Sequence, residues 1–382
     1  MNHILFRLGA LIFCGAALSG CDVIFDSSPD WHDFGKLPAA ASTSSNHTPM
    51  VVTDDKIIVG TDDGLWEHPR AHSGDWRQLG LAGVRIFAVR RDPGDSDTLF
   101  AAGQPLDDAQ ASPFYRSDDS GETWIASTAW PVDATDDSTE PFYDLAVAAD
   151  NSSRLYANLA GSSIAVSIDS GDTWTLANDE TTVSSDEPCI LHVLESQPER
   201  LYQGCKLESE NAWVATYDID QDFPFELTRF TYVAGGPDAA LGERRPNSFA
   251  SGTARPDTLY VGLEGSLIAI EDDEFEKLLE VDAGDTDIPY ARIKGIWLDP
   301  NDEDHLIFGG GVSGTNSELA LFETKNHGGD IEQLDEPKAL NDPSVEQIQP
   351  LGADNLAVLI SESDGATRSL RLFELDPGGD IF

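Results

Sequence analysis

Basic residues are few. Lys and Arg number 23 against 69 Asp and Glu, lysine contributes only seven, and the formal net charge of the 382-residue chain is −46. Such a chain repels phosphate backbones at every approach, which excludes nucleic-acid binding, and it repels anionic membrane surfaces as well. The eight histidines are dispersed without zinc-ligand spacing, so no metal site is expected from them. Gly-x-Ser-x-Gly, His-Glu-x-x-His, the phosphate-binding loop and the dinucleotide fingerprint are all absent, and with them the chemistries they carry. Helical periodicity is missing beyond the first twenty residues, and the one long apolar run, Leu8–Leu18, is too short for a good membrane span. With 33 Gly and 21 Pro, the chain reads as all-β.

What is present is a repeat. Ser117-Asp-Asp-Ser-Gly-Glu-Thr-Trp124 and Ser167-Ile-Asp-Ser-Gly-Asp-Thr-Trp174 share the pattern Ser-x-Asp-x-Gly-x-Thr-Trp, 50 residues apart. The pattern suits a tight turn between antiparallel strands. Ser117 and Asp119, like Ser167 and Asp169, carry short side chains that bond to the turn backbone, and Gly121 and Gly171 supply a positive φ. Thr123 and Thr173 start the next strand, and Trp124 and Trp174 serve as apolar plugs between neighbouring units. A period near 50 marks stacked supersecondary units, of which a four-stranded propeller blade is the natural one.

Weaker copies follow in register. Strand starts recur at Trp31, Trp76, Trp124, Trp174, Phe225, Phe275 and Ile331, with gaps of 45, 48, 50, 51, 50 and 56 residues. A hairpin with a polar turn recurs at 51–60, 86–103, 143–159, 189–205, 249–262, 293–309 and 345–360. Both landmarks count to seven. The strand near Trp31–Phe34 has no unit of its own, and the last unit stops after Ser369–Leu375. The N-terminal strand is therefore expected to complete the last unit and close a ring, leaving short, protected edges. The expected organisation is a removed signal over 1–20, a tether over 21–30 and one seven-bladed propeller over 31–382.

The two signatures resemble the Asp box of the Asp-box (BNR repeat) β-propeller superfamily, which includes bacterial sialidases, sortilin-type receptors, xyloglucan-degrading glycosidases and photosystem assembly factors. These share blades but not chemistry. The resemblance implies that the boxes are structural and lie at the blade periphery, away from the ligand face.

The start of the chain resembles a bacterial lipoprotein signal. Arg7 precedes the apolar run, and Leu18-Ser-Gly-Cys21 matches a lipobox, so Cys21 is the expected lipidation site; the alternative is a general secretory signal. A triacylated cysteine anchors stably at about 0.8 kcal/mol per buried methylene. The expected address is the cell envelope, lipid-anchored and facing periplasm or exterior, with inner and outer membrane both open. Once Cys14 leaves and Cys21 is acylated, Cys189 and Cys205 remain, equidistant from Gln197 on paired strands. In an oxidising compartment a disulfide is the natural reading, with a metal site or reactive thiol as alternatives.

Removing Arg7 leaves 22 bases against 69 acids, a net charge of −47. The acids are scattered, which fits a solvated surface for saline surroundings; divalent-cation binding is the alternative. No cofactor is expected. Asp133–Glu140 and Asp299–Asp304 are weak Ca²⁺ candidates without the spacing of a calcium loop.

Loops entering each innermost strand, and those joining second to third strands, share one propeller face. Segments 104–113, 127–141, 178–188, 231–247, 281–291 and 310–317 are longer than the fold requires, and long connections favour function. Trp130, Phe142, Tyr143 and Tyr232 fall in or beside them, as do Arg244 and Arg245. A carboxylate clamp framed by aromatics is the functional reading; neutralised acids and sealed blade tops are the alternative. Sialidases of this superfamily use three arginines, a Tyr–Glu pair, an acid aspartate and a Phe-Arg-Ile-Pro motif. Val84-Arg-Ile-Phe87 does not match that motif, and Arg85 or Arg90 with Arg292 supply two channel-facing arginines at most. The expectation is a non-catalytic envelope scaffold that binds a protein partner through the loop-rich face, with no assigned catalytic residue. The alternative is a carbohydrate-active protein, either a glycan binder or a divergent glycoside hydrolase.

Overall fold

The computed structural model describes residues 30–40, 48–107, 111–131, 141–160, 162–179, 188–206, 212–219, 226–235, 244–280, 291–312, 319–337, 340–352, 355–363 and 368–377, with the backbone alone at 39–40, 178–179, 226–235 and 312. Every element among them is a strand. β1 (Asp30–Ala40) precedes an antiparallel sheet of β2 (Met50–Val52), β3 (Lys56–Thr61), β4 (Gly64–Pro69) and β5 (Arg77–Gly80). The second sheet is β6 (Val84–Arg91), β7 (Leu99–Pro105), β8 (Phe114–Ser117) and β9 (Ile125–Ala126). The third is β10 (Asp144–Val147), β11 (Leu155–Asn158), β12 (Ile164–Ser167) and β13 (Thr175–Leu176).

The short β14 (Asn178–Asp179) pairs in parallel with the outer strand of the fourth sheet. That sheet runs β15 (Ile190–His192), β16 (Arg200–Lys206), β17 (Ala212–Ile219) and β18 (Glu226–Gly235). The fifth is β19 (Pro246–Ala250), β20 (Leu259–Leu263), β21 (Ser266–Glu271) and β22 (Glu274–Glu280). β23 (Ala291–Leu298), β24 (Leu306–Val312), β25 (Ala320–Thr324) and β26 (Glu332–Gln333) follow, then β27 (Ser344–Pro350), β28 (Leu356–Ser363) and β29 (Arg368–Asp376). A single bridge, Gly311 to Ser344, joins these last two groups into one hydrogen-bonded sheet. β1 adds antiparallel to β29, with Trp31 opposite Leu375.

The inner strands of the sheets are buried on both faces, so they read as apolar runs rather than alternating ones. The outer strands β5, β9, β13, β22 and β26 are largely exposed. In β3 successive side chains feed different cores. Ile57 and Val59 pack with Leu359 and Leu372 of the last sheet, and Ile58 packs with Ile86 and Val89 of the second. The main core clusters lie between successive sheets, and one of them joins the last sheet to the first through Phe34, Leu37 and Met50. The first strands also neighbour one another in sequence: β2 lies against β6, then β10, β15, β19, β23 and β27 in turn, and β27 lies against β2. This close approach needs glycine on the second strand. A Cβ on Gly60 would stand 2.7 Å from Ile86, and one on Gly262 would stand 2.5 Å from the Ile293 carbonyl.

Four first strands carry a β-bulge at the same height, between Ile86 and Ala88, Pro246 and Ser248, Ile293 and Gly295, and Val345 and Gln347. A bulge reverses which side chains face inward beyond it. The first-to-second-strand turns are built by aspartates. Asp92 accepts from the Gly94 amide at 2.7 Å and Asp299 from the Asn301 amide at 2.8 Å. Asp95 and Asp302, three residues further along each turn, repeat the device with the Asp97 and Asp304 amides, each at 3.1 Å. Cys189 and Cys205 form a disulfide across a Cα–Cα distance of 4.6 Å. They extend the β15–β16 register by one pair and pack on Trp213.

Candidate functional site

The two Ser-x-Asp-x-Gly-x-Thr-Trp turns are self-contained. Ser117 Oγ donates to Asp119 at 2.8 Å and accepts from the Gly121 amide at 2.7 Å. Asp119 accepts from the Thr123 amide at 2.8 Å and from its hydroxyl at 2.6 Å. Ser167, Asp169, Gly171 and Thr173 repeat every bond. Gly121 and Gly171 have φ of 92° and 86°. The Thr123 hydroxyl, followed by its amide and Ser117, holds the Asp119 carboxyl below its ordinary range. Burial opposes the same shift at Asp169, where the Thr173 bonds prevail. Trp174 closes its turn by donating to the Gly171 carbonyl at 3.1 Å.

A third copy occurs where the sequence hides it. Thr324 Oγ1 donates to Asn326 Oδ1 at 3.1 Å and accepts from the Gly328 amide at 2.9 Å. Asn326 accepts from the Asp330 amide at 2.7 Å, and Gly328 has φ of 88°. Thr, Asn and Asp thus replace Ser, Asp and Thr. The Ser, Asp and Thr of the pattern, and the Thr, Asn and Asp that replace them, make these bonds within the turn itself.

The first strands surround a cavity of about 540 Å³. Val52, Arg91, His192, Leu298 and Pro350 line it at the strand ends, and Gly252, Thr253 and Pro300 line it from the first-to-second-strand turns. It therefore reaches the face carrying the Ser-x-Asp turns, opposite the loop-rich face. Its charged side chains among the described residues are Arg90, Arg91, Lys294 and Asp144, with His192 beside them.

Asp144 is engaged through both of its oxygens. One oxygen accepts from Arg90 at 2.6 Å and from the Leu145 amide at 2.8 Å; the other accepts from the Leu191 amide at 2.9 Å. Arg90 also donates to the Leu145 carbonyl at 3.0 Å. Lys294 pairs with Glu346 at 2.8 Å behind the wall, and Ser361 donates to the same carboxylate at 2.6 Å. Burial alone would raise the Glu346 carboxyl, but Lys294 and Ser361 hold it low. Burial, then the Arg90 charge, pushes the His192 imidazole down to about 4 against the pull of Asp144, so the ring is neutral at ordinary pH. Its Nε2 meets Ser251 Oγ at 2.9 Å. Arg91 is exposed and makes no ion pair with a described residue.

The residues singled out from sequence sit elsewhere. Arg244 donates to the Gly265 carbonyl at 3.0 Å and lies 3.4 Å from Glu280. Arg245 reaches the Pro188 carbonyl at 3.4 Å, and burial, with Arg292 next, lowers its guanidinium to about 10. Tyr143 stacks on Phe87 with centroids 5.0 Å apart. Trp130 packs on the core that holds Phe142 and Trp174. Tyr232 is opposite Ala215 in β18, and its side chain lies outside the described residues. Of the arginines weighed for the channel, Arg90 lines the cavity, whereas Arg85 pairs with Asp62 and Arg292 with Glu264, each at 2.9 Å.

Cys21, the signal, Asp133–Glu140 and most of the long loops (108–110, 132–140, 180–187, 236–243, 281–290, 313–318) lie outside the described residues. In the other acidic segment, Asp299 and Asp302 serve turn amides and Asp304 meets Arg255 at 3.2 Å. Among the described residues no three His, Cys, Asp or Glu side chains group as metal ligands do. Sequence reasoning missed Arg91, His192, Ser251 and Gln347; the signal of the first three is a polar residue at or just past the end of a first strand, whereas Gln347 lies inside β27.

No protein-family model and no curated protein matches the chain. Solved structures do. The chain is similar to a GH74 enzyme of Niastella koreensis, with a TM-score of 0.62 at 16% identity over 88% of this chain and 55% of that one. It thus spans about half the length of that enzyme. It is similar to YCF48 bound to a D1 peptide, with a TM-score of 0.57 at 16% identity over 89% of this chain and 96% of that one. An auxiliary nutrient binding protein from Bacteroides thetaiotaomicron gives a TM-score of 0.53 at 10% identity over 89% and 70%. The four-stranded antiparallel sheets and these likenesses define a β-propeller fold.

Proposed function

We propose that the chain is a seven-bladed propeller of the Asp-box type, closed by β1 as fourth strand of the last blade. We propose further that it is a non-catalytic binding module, anchored to a bacterial envelope membrane through lipid on Cys21. The cyclic order of the first strands and the core shared by last and first sheets support the ring. It engages a protein partner through the loop-rich face, where Arg244, Arg245 and Tyr143 stand near the starts of first strands.

The observation that carries the non-catalytic reading is the state of Asp144. A two-carboxylate hydrolase needs its acids about 5–9.5 Å apart and free to exchange protons with substrate. Among the described residues lining the axial cavity, Asp144 is the one carboxylate, and backbone amides and Arg90 occupy both its oxygens. YCF48, whose length the chain matches, has been solved with a peptide bound, a precedent for protein binding on this fold.

Chemical cross-linking in native membranes, followed by solubilisation and mass spectrometry, tests the reading. One stoichiometric protein partner is expected, lost on Arg244→Glu, Arg245→Glu or Tyr232→Ala. Recovery of the propeller alone, together with hydrolysis in a polysaccharide screen, would replace it with the carbohydrate-active alternative.

A further inference from the structure

The axial cavity inverts the charge of the chain that encloses it. Acids outnumber bases 69 to 23 over the sequence, yet the described lining holds Arg90, Arg91 and Lys294 against Asp144. Two of these cations are balanced, Arg90 by Asp144 at 2.6 Å and Lys294 by Glu346 at 2.8 Å. Arg91 is the surplus charge, exposed at the cavity mouth. A guanidinium presents a planar fork of donors matched to a carboxylate.

Phe249, Trp297 and Ile348 supply apolar wall between the polar groups. The volume, about 540 Å³, falls within the range of small-molecule sites, and a few convergent polar groups on an apolar lining are their usual composition.

We propose that this cavity binds a small monoanionic carboxylate. Arg91 takes the carboxylate, while His192 and Ser251 close the polar rim. One unbalanced cation matches one negative charge; a dianion would leave a charge uncompensated inside an already acidic protein. The site opens on the face opposite the loop-rich one, so it is independent of the partner proposed above and stands or falls separately.

The test uses the full mature protein in calorimetric titration and ligand-observed NMR. The probes are lactate, glucuronate and N-acetylalanine, each beside its neutral amide or alcohol counterpart, with inorganic phosphate as the dianion. At least one carboxylate is expected to bind at millimolar concentration or better, with its neutral counterpart about tenfold weaker or worse. Arg91→Gln should weaken that carboxylate about tenfold or more and Arg91→Lys less. Because Arg91 is exposed, its variants report on binding rather than folding. Absence of binding by every carboxylate, equal binding of the neutral counterparts, unchanged affinity in Arg91→Gln, or tighter binding of phosphate would each overturn the proposal.

Discussion

Replacing Asp144 by alanine removes a carboxylate that ties three first strands together. It accepts from Arg90 of β6, from Leu145 of its own β10 and from Leu191 of β15, at 2.6, 2.8 and 2.9 Å. The carboxylate is 3% exposed, but Arg90 retains 28% of its side-chain exposure, so the ion pair is worth only about 1 kcal/mol after screening. The larger loss is the Leu191 amide, buried and left without an acceptor, at about 1–3 kcal/mol. Asp144→Ala is therefore expected to cost about 2–4 kcal/mol. Asp144→Asn keeps one carbonyl acceptor and should cost about half of that. Urea unfolding followed by tryptophan fluorescence reads this as a lower midpoint at unchanged slope. Equal losses in the two variants, or losses below about 0.5 kcal/mol in both, would refute the bridging role.

Three further outcomes are expected. Converting Cys189 and Cys205 together to serine should cost about 3 kcal/mol from loop closure alone, measured as a lower unfolding midpoint, and reducing agent should then have no effect on the variant. Gly171→Ala should destabilise far more than Gly83→Ala. Both have positive φ, of 86° and 79°, but a Cβ at Gly171 stands 2.0 Å from Phe114 and one at Gly83 meets nothing within 4 Å. The latter should cost about 1 kcal/mol from backbone strain alone, and equal effects would contradict the packing. The His192 imidazole has an ordinary value of 6.5 unfolded and about 4 folded, so the unfolded chain takes up the proton first as pH falls. Its contribution is intact above about pH 6.5, is lost between there and about pH 4 and amounts to about 3 kcal/mol. His192→Gln should flatten the pH dependence over that window relative to the wild type; parallel curves would contradict it.

The hairpins and outer strands were legible because every unit repeats the same demands. Trp76, Trp124 and Trp174 each stand one residue before an outer strand, and Gly60, Gly103, Gly262 and Gly309 mark second strands. The Cys189–Cys205 bond followed from register. The third Ser-x-Asp-type turn was hidden because Thr324, Asn326 and Asp330 preserve its hydrogen bonds while changing every polar letter, and Ile331 stands where Trp does in the others. The cavity was illegible for a different reason. Arg85, Arg90 and Arg91 share one strand, but the bulge between Ile86 and Ala88 resets the inward parity between them. Alternation counted from Arg85 fails beyond it. In the same way the bulge between Val345 and Gln347 obscures Gln347. The roles of the long loops depend on shape, which local patterns do not encode.

The central claim is a propeller that binds through one face. It is tested most directly by placing a photo-reactive residue at Arg292, exposed near the start of β23, and separately at Thr123, on the opposite face. The membrane-anchored protein is then irradiated in its native envelope. The account predicts one discrete protein adduct from position 292 and none from position 123. Equal labelling from both positions, or adducts from neither while added polysaccharide is cleaved, would contradict it.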